Sequence, residues 1–107
     1  MIRPLSTTLT FIFVSTFSAF GQDEIPKEIN QLLDKNICNT CHRLDERLIG
    51  PSYKELSKKG YDIKTTIELI ANPNPENWPD YPPMAPMGHI DKKELKSIAK
   101  WLVELEN

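Results

Sequence analysis

The stretch Cys38-Asn39-Thr40-Cys41-His42 decides how the rest of the chain is read. Two thiols three positions apart lie about one helical turn from each other, and the neighbouring imidazole cannot share their direction. A haem uses all three side chains at once. The thiols add across its vinyl groups as thioethers, and the His points at the iron, so the spacing predicts covalent attachment of one haem c. Cys-x-x-Cys alone also occurs in thiol redox enzymes and in half of a zinc site. A disulfide would leave His42 without a role.

Upstream of the motif, Ile29, Leu32, Leu33 and Ile37 recur at helical spacing from Pro26 to about Ile37, with Pro26 suited to a first helical position. This helix delivers Cys38. Further upstream, Arg3, the apolar run from Leu9 to Val14 and the small residues Ala19 and Gly21 read as a basic region, a hydrophobic region and a cleavage site. Residues 1–21 are therefore expected to be a removed signal peptide, and the run is short for a membrane span. Export fits haem attachment, because it places the thiols outside the cytoplasm.

Residues 22–107 form one small domain with twelve Lys and Arg against fifteen Asp and Glu, a net charge of −3. No dense basic stripe is present, which argues against nucleic acid as a partner. A domain of this size has a marginal core of its own, and a bound haem would supply the missing apolar body.

Downstream, residues 43–49 show no period, and Gly50-Pro51 closes a loop. If one ring nitrogen of His42 holds iron, the other should donate to a carbonyl, and that of Pro51 is well placed on a rigid turn. Ser52-x-x-Glu55 is a capping-box pattern opening a short helix from Tyr53 to Lys59, with Tyr53 and Leu56 facing inward and Gly60 as the stop. Asp62 caps a further helix to Ala71 that carries Ile63, Ile67 and Ile70 on one face. Six prolines between residues 72 and 90 exclude a regular element there. Asp91-x-x-Glu94 opens the last helix, to about Leu105, with Leu95, Ile98, Trp101, Leu102 and Leu105 on one stripe. The fold class is all-α: about four helices around one haem, with a Pro-rich loop.

That loop holds Trp78, Tyr81, Met84, Met87 and His89. A thioether is a soft neutral ligand that favours reduced iron. Met84, framed by Pro82, Pro83 and Pro86, is the first choice for the second axial ligand; Met87 and His89 are the alternatives, and Met87 also suits a core gap. A copper site on Met84, Met87 and His89 would leave the CxxCH motif unexplained.

Together, Cys38-x-x-Cys41-His42, Leu48-Ile49-Gly50-Pro51-Ser52-Tyr53-Lys54, the Trp78 region, Pro83-Met84-Ala85-Pro86 and Ala99-Lys100-Trp101-Leu102 make the chain resemble a small bacterial class I cytochrome c with a single haem. The resemblance spans roughly residues 26–105. It implies thioethers at Cys38 and Cys41, iron ligation by His42 and Met84, a hydrogen bond from His42 to Pro51, Tyr53 at the haem, and Trp78 near a haem propionate. It further implies a soluble, monomeric, periplasmic one-electron carrier between redox donor and acceptor proteins, not an enzyme. If Met84 were labile, a gas-binding or peroxide-reactive haem protein would be the alternative.

Overall fold

The computed structural model describes residues 2–6, 8–14 and 24–106. Its helices are α1 (Lys27–Lys35), α2 (Tyr53–Ser57), α3 (Ile63–Ala71) and α4 (Lys92–Glu104), with single 3-10 turns at Cys38–Thr40 and Pro75–Asn77. No strand occurs among the described residues.

Local chemistry sets most of the helix ends. Pro26 stands at the N-cap of α1, and Glu28 and Lys35 lie in its first and last turns, each sign matched to the helix dipole. Ser52 Oγ accepts from Glu55 N–H at 3.1 Å while Glu55 accepts from Ser52 N–H, a complete capping box on α2. Asp62 caps α3 through Thr65 N–H at 2.7 Å. At α4, Asp91 accepts from Lys93 and Glu94 N–H, but the reciprocal half expected of Glu94 is absent. Its carboxylate turns to Lys35 on α1, at 2.9 and 3.0 Å.

Two other expectations shift. Helix α1 stops at Lys35, because Ile37 adopts a left-handed backbone with φ 57°, a conformation that a β-branched residue rarely takes. Ile37 is consequently 64% exposed instead of facing the core. The Pro-rich segment is also not wholly irregular: Asn74 caps the turn at Pro75–Asn77, where proline suits the first position.

Helix α4 packs against α1, α2 and α3. Its buried stripe takes part in two separate apolar clusters. In one, Ile98 and Leu102 meet Leu33 of α1 and Tyr53 of α2, with Trp101 edge-on to Tyr53 at 5.2 Å. In the other, Leu95 meets Met87 and Ile90 of the Pro-rich segment, with Ile67 and Ile70 of α3 against them. Between the clusters lies an open cavity.

Candidate functional site

The cavity measures about 410 Å³. Leu33, Tyr53 and Ile98 border it from the first cluster and Met87 from the second, and Ile70, which packs against both, borders it too. No Asp, Glu, Lys or Arg lines it. Such a space suits a large apolar body.

One side of the cavity is built from the CxxCH stretch. The left-handed turn at Ile37 ends α1 and begins the 3-10 turn at Cys38–Thr40, bringing Cys38, Cys41 and His42 to the wall together. Both thiols are free and half-buried. Burial pushes the Cys38 thiol above its ordinary range, the opposite of what an attacking thiolate in exchange chemistry requires. Among the described residues, no group of three or more His, Cys, Asp or Glu is placed to hold a metal ion.

His42 is 8% exposed, and its Nδ1 lies 2.6 Å from the Pro51 carbonyl. Paired there, Nδ1 carries the proton and Nε2 keeps its lone pair, as an iron ligand must. Burial holds the imidazole below its usual pKa, although the Pro51 carbonyl works against this, and favours the neutral ring. The loop that supplies Pro51 folds back on the motif through Gly50 N–H to Cys41 O at 2.8 Å and Tyr53 N–H to Arg43 O at 2.8 Å. A side chain at residue 50 would bring its Cβ to 2.7 Å from His42 Cε1. Glycine is what lets this backbone lie against the ring.

Asn39 lies between the two cysteines. Its amide donates to Asn30 at 3.0 Å and Asp34 at 2.6 Å on α1, and its carbonyl accepts from Tyr53 OH at 2.8 Å. One side chain thus ties the motif to α1 and α2. Burial pushes the Tyr53 hydroxyl well above its ordinary pKa, so it is a permanent donor. No periodicity or motif rule would have found this role.

Another part of the lining comes from the Pro-rich segment. Met84 lines the cavity and is 37% exposed. Met87 also reaches the cavity but is 7% exposed and packed within the second cluster, with its N–H bonded to Ile70 O at 3.1 Å. His89 is exposed and stands apart from the lining. Trp78 and Tyr81 line the cavity, edge-on to each other at 5.9 Å. Thr66 and Leu69 of α3 line it too, on a face beside the expected isoleucine stripe. Ile49 borders the cavity and Leu48 does not, and both are exposed.

The residues present therefore fit a haem: two thiols and an oriented imidazole on one wall, thioether sulfurs on another, and apolar side chains between them.

No protein-family model matches the chain. Among curated proteins, cytochrome c-551 of Azotobacter vinelandii is 30% identical over 70 residues, which span 62% of this chain and 83% of that protein. Cytochrome c-551 of Allochromatium vinosum is 28% identical, over 69% of this chain and 82% of its own. Among solved structures, wild-type Nitrosomonas europaea cytochrome c552 matches with a TM-score of 0.64 and 25% identity, covering 71% of this chain and 98% of the other.

Proposed function

This chain belongs to the small bacterial class I cytochromes c, carries one covalent haem c and is an electron carrier, not an enzyme; from that premise we propose how its own residues hold the haem. Cys38 and Cys41 would carry the thioethers, His42 and Met84 would hold the iron, Pro51 accepts from His42, and Tyr53 and Trp78 would line the haem pocket. The observation that carries this reading is one cavity bordered on one wall by both thiols and a Pro51-oriented imidazole and on another by Met84.

The haem supplies a couple between ferrous and ferric iron. The protein's part is to keep the ligands still. His42 is fixed by Pro51 and by the Gly50 backbone against its ring. Met84 is preferred over Met87, because Met87 already fills the second cluster and would have to leave it to serve as a ligand. A thioether opposite imidazole favours the reduced state relative to a second imidazole. If His42 and Met84 both hold the iron, the protein itself would occupy the places where a substrate could bind.

The mature chain, beginning near Gln22, acts as a soluble periplasmic monomer between a redox donor and an acceptor. Phe11 and Phe13 lie exposed, and none of the apolar run from Leu9 to Val14 joins either cluster, in keeping with a removed leader. The cleavage site at Ala19 to Gln22 lies outside the described residues. No helix among the described residues is long and apolar enough to cross a membrane. Exposed Ile37, Ile49 and Met84 at the cavity give a small apolar rim, suited to brief encounters with redox partners.

Optical spectra of the ferric Met84→Ala and Met87→Ala holoproteins test the ligand set. Met84→Ala is expected to lose the weak long-wavelength thioether band and turn high-spin, while Met87→Ala keeps the band. Loss of the band only in Met87→Ala would overturn the assignment, and a high-spin parent protein would favour the gas-binding or peroxide-reactive alternative.

A further inference from the structure

Met84 sits in a stretch that makes little use of its backbone. No backbone hydrogen bond is found for residues 82–86, where three of the five residues are proline. The nearest fixed points are Tyr81 and Met87, each three residues away. Met87 is anchored by burial and by Ile70, as described above. Tyr81 is anchored differently.

The Arg47 guanidinium lies over the Tyr81 ring, 4.1 Å from its centroid, and donates to the Asp80 carbonyl at 2.8 Å. The Tyr81 hydroxyl donates to Glu55 Oε2 at 3.2 Å. Arg47 belongs to the loop between His42 and Pro51, and Glu55 to α2, so this cluster fastens the segment carrying Met84 to the elements that carry and orient His42. These contacts are exposed, and each is weak singly. Together they join that segment to the His42 side, alongside the Lys59 ammonium that lies over the Trp78 ring at 4.5 Å.

We propose that Arg47 and Tyr81 are positioning residues for electron transfer, a latch that holds Met84 in the cavity and so sets how readily a small external base takes its place. The proposal rests on Met84 being the distal ligand. If an unlatched segment swings outward, the fraction of molecules with an open distal position rises, and the apparent affinity for an external base rises in proportion.

The test is imidazole titration of the ferric holoprotein, alongside denaturant unfolding. Loss of a cation–π contact and of one or two exposed hydrogen bonds corresponds to about fivefold to tenfold tighter imidazole binding in Tyr81→Leu and Arg47→Leu. Tyr81→Phe keeps the ring under Arg47 and is expected to stay within about threefold of the parent. Leu105→Ala loosens the first cluster away from the latch; it should lower the unfolding midpoint and leave imidazole affinity unchanged, which separates local release from general destabilisation. On a Met84→Ala background, Tyr81→Leu should add nothing. If Met84→Ala removes the thioether band but Tyr81→Leu and Arg47→Leu bind imidazole like the parent, the ligand reading stands and the latch is overturned. If Met84→Ala keeps the band, both fall together.

Discussion

The two walls of the cavity are held in opposite ways. On the His42 wall the contacts are short in sequence and largely backbone: Cys41 to Gly50, Arg43 to Tyr53, His42 to Pro51. On the Met84 wall they are long in sequence and fall on few points: Arg47 to Asp80, Tyr81 to Glu55, Met87 to Ile70. Local contacts are formed at small loop-closure cost and stay formed, whereas distant ones depend on the whole fold being in place. One wall is tied by many local contacts and the other by a few distant ones. An electron carrier of this kind needs both, since the chain must accept a large group and then hold it still.

The contrast can be broken most severely at the His42 wall. If Cys38 and Cys41 are the tethers, replacing both by Ala should free the haem and leave the apolar lining of the cavity without the body that fills it. Far-UV circular dichroism is expected to show loss of most of the helical signal at room temperature. On the Met84 wall, Met87→Ala empties the buried anchor and should cost about 2–4 kcal/mol in denaturant unfolding of the holoprotein. Back at the His42 wall, Gly50→Ala drives a methyl group against the His42 ring; the expected cost is about 1–3 kcal/mol, with a perturbed haem spectrum. Asn39→Ala leaves the Tyr53 hydroxyl without its acceptor and should lower stability by about 1–2 kcal/mol, the smallest of the four, with the iron ligands unchanged. A Met84 wall that proved as tolerant at Met87 as at its exposed prolines would erase the distinction between the two walls.

How much of this could be read beforehand depends on how far apart the partners lie. The Ser52 capping box, the Asp62 cap, the α4 stripe and the His42 to Pro51 contact each join residues within about three turns of chain, and all were legible. Asn39 was not, because its partners on α1 and α2 come together only when those helices are placed. Glu94 departs from its local pattern for the same reason. Its position fits a capping box, but packing of α1 on α4 offers the Lys35 ammonium instead. Ile37 was assigned to the helix on periodicity, and the turn that brings Cys38 to the cavity overrode it.

Motif and periodicity alone determined the all-α class and named the candidate residues for haem attachment and for the second ligand, since these are encoded in neighbouring residues and helical spacing. Only the tertiary structure decided that Met87 belongs to the core while Met84 stays at the cavity, that Gly50 must lack a side chain, and that Arg47 and Tyr81 close one wall onto the other. Those are matters of which distant atoms share a small volume, and a linear pattern carries no record of that.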